Sequence, residues 1–366
     1  MERTRRSGVR RVHAHVMEVT KITEYIKETA LAAGFELAGI AGVHDSPELD
    51  YFPEWIASGY AGDMHYMEKR NEAGDLKRGS LQCVAPWARS VIVCAINYNT
   101  EQPYSTEVAA QDKGWISRYA WSREDYHDAV MRRLRTVEAK IAAAATDIQT
   151  RCYVDTGPLV ERVYAKYAGV GWIGKNTCII NQKIGSWLFL GVILTSLELT
   201  ADLPAPDRCG SCTRCIDACP TDALIAPYEL DANRCISYLT IEKRGSIPEQ
   251  MRDGIGRQVY GCDICQDVCP WNRKAPSTSS PEFQARPELV NPALDWLAEM
   301  KIEEFRQVFR GSPVKRTKLS GLRRNAVIAM GNSGHPEFGE TLENLTEDED
   351  PVIADTARWA LRKLCG

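Results

Sequence analysis

Thirteen cysteines in 366 residues far exceed what packing requires, and eight of them fall between positions 209 and 269. The stretch CGSCTRCIDACP (209–220) spells C-x2-C-x2-C-x3-C-P, the spacing of bacterial two-cluster iron–sulfur proteins. Three closely spaced thiolates wrap one face of a cubane, and the fourth, just before proline, reaches the neighbouring cluster. The reciprocal copy is split. Cys235 stands alone, and 26 residues intervene before GCDICQDVCPWN (261–272) supplies Cys262, Cys265 and Cys269. Crossing the ligands gives two complete sets with none left over. Cys209, Cys212, Cys215 and Cys269 serve one [4Fe–4S] cluster; Cys219, Cys235, Cys262 and Cys265 serve the other. C-x2-C pairs also bind zinc, but the two C-P endings and the x3 spacing argue for iron–sulfur. Paired clusters pass electrons singly and alone make a carrier, so the remaining residues must house the purpose of those electrons.

Outside this module the candidates are fewer. In YVDTGPLVER (153–162), Asp155 closes an apolar strand and precedes Thr-Gly-Pro, a rim where ligands sit in α/β domains. Such an Asp either caps the following helix or does chemistry, and chemistry as an acid near neutrality requires burial to raise its pKa. GVGWIGKN (169–176) spells G-x-G-x-x-G, yet it follows a helical run and places Trp172 where close backbone approach needs a small residue. It reads as a glycine turn, with Lys175 and Asn176 left to bind an anionic or amide-rich group. Histidine is scarce, at 13, 15, 44, 65, 127 and 335, and DYHDAV (125–130) lacks the glycine of a His-ligated cobalamin motif. The lone Cys83, Cys94, Cys152, Cys178 and Cys365 read as inert buried thiols. Between 301 and 333 there are eight Lys or Arg against two Glu, and 334–356 holds eight acidic residues and no basic one. The stretch SPVKRTKLSGLRRN therefore offers either phosphate contacts, a solvated helix face or a protein-docking surface.

The elements that must position these residues follow from composition and periodicity. Hydrophobic content of 44%, charged content of 26% and a net charge of −4 fit an ordinary globular chain. The longest apolar run, WLFLGVILTSL (187–197), is too short to span a bilayer. MERTRRSGVRRVHAHV has no apolar secretory core, and metal-type cysteine spacing predicts a reducing, cytoplasmic setting. Residues 1–17 read as a disordered extension. From 18 to 200 helical and strand-like segments alternate, predicting an α/β domain with a mixed sheet. EVTKITEYIKETALAAGF is an amphipathic helix with Ile22, Ile26, Ala30 and Leu31 on one face. FELAGIAGV, SVIVCAINY and TRCYVDT are strands, and YHDAVMRRLRTVEAKIAAAA is a helix. TCIINQKIGSWLFLGVILTSLEL predicts a hairpin. Proline-rich breaks bound the cysteine module to 201–280, a ferredoxin-like unit. Beyond it, RRNAVIAMGN and DTARWALRK share an A-x-x-A-[Met/Leu] core offset by 31 residues, predicting a HEAT-like helical unit over 288–366.

Together, YVDTGPLVERVYAKYAGVGWIGKN, the split cysteine module and the terminal repeat resemble the epoxyqueuosine reductases of the queuosine-tRNA pathway, from about residue 18 to the end. The resemblance implies a cobalamin-dependent enzyme with two [4Fe–4S] clusters that reduces the epoxide of epoxyqueuosine to queuosine at the wobble position of tRNA. It makes residues 18–200 a cobalamin-binding catalytic domain and Asp155 the proton donor. The implied cofactor contacts, besides Asp155, are Arg78, Arg118, Asn176, Ser237, Cys262 and Asp263, holding a cobalamin without a histidine ligand. The helical unit would grip the anticodon stem-loop through Lys315, Arg316, Lys318, Arg323 and Arg324, with Lys243 and Arg244 contributed by the 26-residue insert. An external electron donor is required, no membrane is involved, and nothing demands more than a monomer. The rival readings are a cobalamin-dependent reductive dehalogenase and a two-cluster electron-transfer protein without cobalamin.

Overall fold

The eight residues Ser90–Asn97, SVIVCAIN, are buried at every position, as a β-branched run covered on both faces must be. They form β2 of a four-stranded sheet. The computed structural model describes residues 18–108 and 110–365; the arginine-rich extension, with His13 and His15, lies outside the described residues. Helix α1 (18–32) leads into β1 (Leu37–Gly42) and α2 (Pro47–Ala57), and β2 follows. After β3 (Trp115–Ile116) come α3 (Tyr126–Ala144), β4 (Thr150–Tyr153) and α4 (Glu161–Tyr167). Then β5 (Trp172–Ile173) and β6 (Ile179–Ile180) pair as a small ribbon before β7 (Leu188–Thr195).

The sheet order is β1-β2-β7-β4, and every pairing in it is antiparallel. The mixed sheet expected from the alternating pattern is therefore replaced by an antiparallel one. Side-chain alternation splits β2 between two cores: Ile92, Cys94 and Ile96 face α1 and α3, while Val91, Val93 and Ala95 face α4. The expected hairpin over 177–199 does not form. Both edges of β7 are taken by β2 and β4, so β6 pairs with β5 and only the Asn181–Gly185 bridge closes the turn. On α1, Ile26 and Ala30 are buried, but Leu31 is 49% exposed. Five positions beyond Ile26 is about 140° around a helix, too far to share its face.

The cysteine module carries α5 (Arg214–Asp217), the ribbon β8 (Leu224–Ala226) and β9 (Glu229–Leu230), and α6 (Ile236–Ile241). It continues with α7 (Glu249–Ile255), β10 (Gln258–Tyr260) and α8 (Ile264–Asp267). The insert between Cys235 and Cys262 is thus α6, α7 and β10. Strand β10 pairs in parallel with β3. Beyond it lie α9 (Leu294–Glu299), α10 (Ile302–Val308), α11 (Lys318–Ser333), α12 (Gly339–Leu345) and α13 (Pro351–Cys365). One apolar core runs from Trp115 and Trp121 through Ile236, Val259 and Tyr260 to Ala326, Ala329, Ala357 and Ala360. The small residues of the repeated A-x-x-A pattern let α11 and α13 approach closely: a Cβ on Gly331 would lie 2.9 Å from the Ala360 Cα.

The sheet packs so closely on α4 that a Cβ at Gly39 would stand 1.9 Å from the Ala168 carbonyl oxygen. Backbone on both sides leaves no rotamer to relieve that clash. Gly39→Ala is expected to cost about 1–3 kcal/mol, read as a lowered urea midpoint with unchanged slope; wild-type stability would refute this packing.

Candidate functional site

Asp155 sits two residues beyond the end of β4 with φ +54°, a left-handed conformation that a non-glycine residue adopts only when its surroundings enforce it. Two contacts do so. The Asp155 N–H donates to Glu161 Oε1 (2.8 Å), and Arg78 donates to the Gly157 carbonyl (2.6 Å). Asp155 caps nothing: α4 has Val160 as its N-cap and no side-chain cap bond. Its side chain is 67% exposed and so open to a substrate, and Tyr126 Oη donates to its Oδ2 at 2.7 Å. Burial, and then the charge of Asp155, push the Tyr126 pKa well up, which keeps that hydroxyl a donor. The desolvated carboxyl of the pair is the half-buried Glu161. Desolvation, with the Asp155 charge adding to it, raises its pKa from 4.5 to about 8.

An aromatic layer links this rim to the cysteine module. Tyr126 meets Tyr119 edge-on, and the Tyr119 hydroxyl donates to that of Tyr260 (2.9 Å), which donates to the Pro313 carbonyl (2.7 Å). Tyr260 ends β10, two residues before Cys262. Tyr66 lies in the field of Asp155, Arg78, Glu242 and Arg316, and both arginines stand over its ring. Asp155, the insert and the basic segment therefore share one face.

The thiols gather in two groups. Cys209, Cys212, Cys215 and Cys269 line one cavity of about 240 Å3, with Lys175, Asn176 and Trp271 around it. Cys262 lies in the field of Cys235 and Cys219, and Cys265 in that of Cys262 and Cys235. Among the described residues no three His, Cys, Asp or Glu side chains stand close enough to hold one metal ion. Four thiols spread around a cavity of this size suit a cubane, which is wider than a single ion.

GVGWIGKN proves to be the platform for these loops. Lys175 donates to the carbonyls of Gly210 (2.7 Å) and Cys212 (3.1 Å), and Trp172 packs edge-on against Trp271. Asn176 is buried and donates to the Cys265 carbonyl (3.2 Å), so its amide buttresses the second group while the residue also lines the cavity of the first. Arg118 and Asp263 are also interior. The Arg118 guanidinium donates to the carbonyls of Thr100, Gln102 and Pro103 and is enclosed by Tyr104, Trp121 and Trp187. The Asp263 carboxylate accepts from Trp115 Nε1 (3.0 Å), from Ser117 Oγ and from the Arg118 N–H (2.7 Å). Neither side chain is free to touch a ligand. Arg78, Ser237 and Cys262 remain partly exposed.

The basic residues sort the same way. Arg324 is 1% exposed and donates to the carbonyls of Leu239, Lys243 and Gly245, while Arg323 is held by the Ala298 carbonyl and Asp348. Both are internal staples, not phosphate ligands. Lys243 pairs with Asp63, and Arg244 donates to the carbonyls of Ile241, Arg316 and Thr317. Arg316 is exposed but pairs with Glu242. Lys315 and Lys318 are exposed and make no salt bridge among the described residues.

Residues 208–272 match the model of a 4Fe–4S double cluster binding domain, and 78–156 match that described as epoxyqueuosine reductase QueG, DUF1730. An epoxyqueuosine reductase of Xanthomonas campestris is 39% identical over 92% of this chain and 94% of its own length. One from Escherichia coli K12 is 34% identical over 94% and 90% respectively. The chain belongs to the epoxyqueuosine reductase family. A solved epoxyqueuosine reductase with an epoxyqueuosine-modified tRNA-Tyr stem loop superposes with a TM-score of 0.84 at 32% identity, covering 94% of this chain and 90% of that one. A Bacillus subtilis epoxyqueuosine reductase with an aspartate catalytic loop swung out of its active site gives the same TM-score at 31% identity, with the same shares covered.

Four residues of this family member escaped the sequence reading. Tyr126 and His127 lay inside a helix that showed only its periodicity. Glu161 looked like an ordinary helix-start acid, and Cys178, classed as inert, lies directly beside Cys265. Only for Glu161 was there a signal, its fixed place six residues after Asp155. Because its folded pKa lies above the ordinary 4.5, its stabilising contribution is complete below about pH 4.5 and is lost as pH rises through about 8. Glu161→Gln is expected to flatten that alkaline fall in chemical-denaturation midpoints; identical pH profiles for variant and wild type would contradict the burial.

Proposed function

We propose that this chain reduces the epoxide of epoxyqueuosine in tRNA to the alkene of queuosine, with Asp155 donating a proton to the epoxide oxygen. The observation that carries the reading is an accessible carboxyl on a pinned loop, joined by an aromatic layer to a double-cluster module, in a member of this family. On this reading residues 18–200 bear the reacting rim, 201–280 deliver electrons from an external donor, and 288–366 form a HEAT-like unit that receives the RNA. The thiols are assigned as they are grouped: Cys209, Cys212, Cys215 and Cys269 to one cluster, and Cys219, Cys235, Cys262 and Cys265 to the other.

Arg78, Ser237 and Cys262 would hold the corrin, which when bound supplies low-valent cobalt to accept electrons from the clusters one at a time. In support of that fit, the Ser237 hydroxyl has no hydrogen-bond partner among the described residues and Arg78 commits only one amine to Gly157. The protein's own part is clearer. Glu161 and Arg78 hold the Asp155 loop in place, and Tyr126 orients the carboxyl by donating to Oδ2. The Asp155 proton then meets the charge that develops on oxygen as the C–O bond opens.

Anaerobic turnover of an epoxyqueuosine-containing stem-loop by reconstituted enzyme tests this reading. Asp155→Asn should abolish product while leaving iron content unchanged, and an active variant would sink the role. The exposed lysines face the RNA backbone. Lys315→Ala and Lys318→Ala should each reduce the slope of log affinity against log salt by about 1, and unchanged slopes would move the RNA elsewhere.

A further inference from the structure

Converting an epoxide to an alkene breaks both C–O bonds, forms the C=C bond and takes up two electrons and two protons, the oxygen leaving as water. The electrons come from the clusters and their external donor. Asp155 carries one proton at a time, so it has to be recharged after each donation, twice in every turnover in which it supplies both protons. The start of α3 places an acid and a histidine beside Asp155, in the DYH segment that lacks the glycine of a His-ligated cobalamin motif.

Asp125 is the N-cap of α3 and accepts the His127 N–H at 3.1 Å. The same oxygen, Oδ1, stands 2.8 Å from His127 Nδ1. An ionised carboxylate there can only accept, which places the neutral ring's proton on Nδ1 and leaves Nε2 for the other side. Nε2 lies 4.0 Å from Asp155 Oδ2, the oxygen that Tyr126 already holds. A bridging water or a small ring rotation spans that gap. The imidazole packs on the Tyr126 ring at 4.0 Å, which limits its swing. The His127 side chain is 36% exposed and that of Asp125 is 19% exposed, so the ring meets solvent while its anchor is sheltered.

The groups that act on this pair come from several elements. Asp128 shares the helix, Asp155 faces it from the loop after β4, Lys315 acts on Asp125 from the turn before α11, and Tyr260 does so from β10. Burial is the largest single influence on His127 and lowers its pKa. The Asp125 hydrogen bond and the charges of Asp125, Asp155 and Asp128 outweigh burial and hold it above the ordinary histidine value.

We propose that Asp125 and His127 form a relay that returns a proton from solvent to Asp155 Oδ2 in each turnover. His127 is a positioning residue that acts through Asp155 and does not touch the substrate. The relay rests on the reading of Asp155 as proton donor.

The test compares pH–rate profiles of enzyme reconstituted with both clusters and cobalamin. Wild-type turnover should fall on the alkaline side as His127 loses its proton. His127→Gln should be slower by about tenfold to a hundredfold and lack that limb, and added imidazole should restore rate to His127→Gly. Asp125→Asn, which preserves the helix cap, should move the limb to lower pH. It should also lower the His127 titration followed by NMR, a readout that needs no turnover. A His127→Gln enzyme with the wild-type rate and limb would overturn the relay, as would a pH-independent loss that imidazole does not restore. Asp155→Asn separates the two ideas. If it stays active, the proton-donor reading fails; if it is dead while His127→Gln behaves as wild type, only the relay fails.

Discussion

Eight thiolates from segments sixty residues apart have to converge as two groups of four, and most of the architecture answers to that requirement. Cys269 ends the second cysteine run yet lines the cavity of the first, and Cys219 ends the first yet lies in the field of Cys235 and Cys262, so the two loops cannot be held independently. The chain secures them from outside. Lys175 grips the carbonyls of the first loop, Asn176 props the second, and Trp172 packs against Trp271 just after Cys269. The insert that splits the second run carries β10 and α6 into the largest core, where β3 pairs with one and Asn325 donates to carbonyls in both. Opening the cysteine run at this point ties the electron-carrying loops to the sheet on one side and the helices on the other.

The rim that carries Asp155 shows a different use of physical chemistry. The exposed carboxyl is Asp155, and the desolvated one is Glu161, which holds the Asp155 backbone. A left-handed aspartate is costly by a few kcal/mol at most, and it persists because Glu161 and Arg78 pin the loop from both flanks. Tyr126 is fixed in turn by stacking on Phe189 at 4.4 Å, a sheet residue on β7. The position of Asp155 Oδ2 is thus referred back to the central sheet.

Where the sequence reading and the structure part, the cause is the same each time: the pattern was local and the outcome depended on distant partners. Residues 177–199 had the alternation of a hairpin, but β7 found both its neighbours elsewhere. Arg323 and Arg324 had the charge of a phosphate-binding patch, but α11 buries them against carbonyls and Asp348. Arg118, Asn176 and Asp263 had polar side chains near the right motifs, and each is consumed in supporting a loop. Lys315 and Lys318 stay exposed and make no salt bridge among the described residues.

The sequence by itself determined the cysteine grouping, the central strands, the helix over Tyr126–Ala144 and the placing of Asp155 at a strand end. These depend on spacing within a few residues, where the thiolate reach and the two backbone periodicities leave little choice. Only the tertiary structure decided which charged groups are free, which carboxyl is desolvated, and that Asp125 and His127 face Asp155 across two elements. A side chain's charge is written in its identity, but its solvation and its partners are set by whatever the fold brings within a few ångströms.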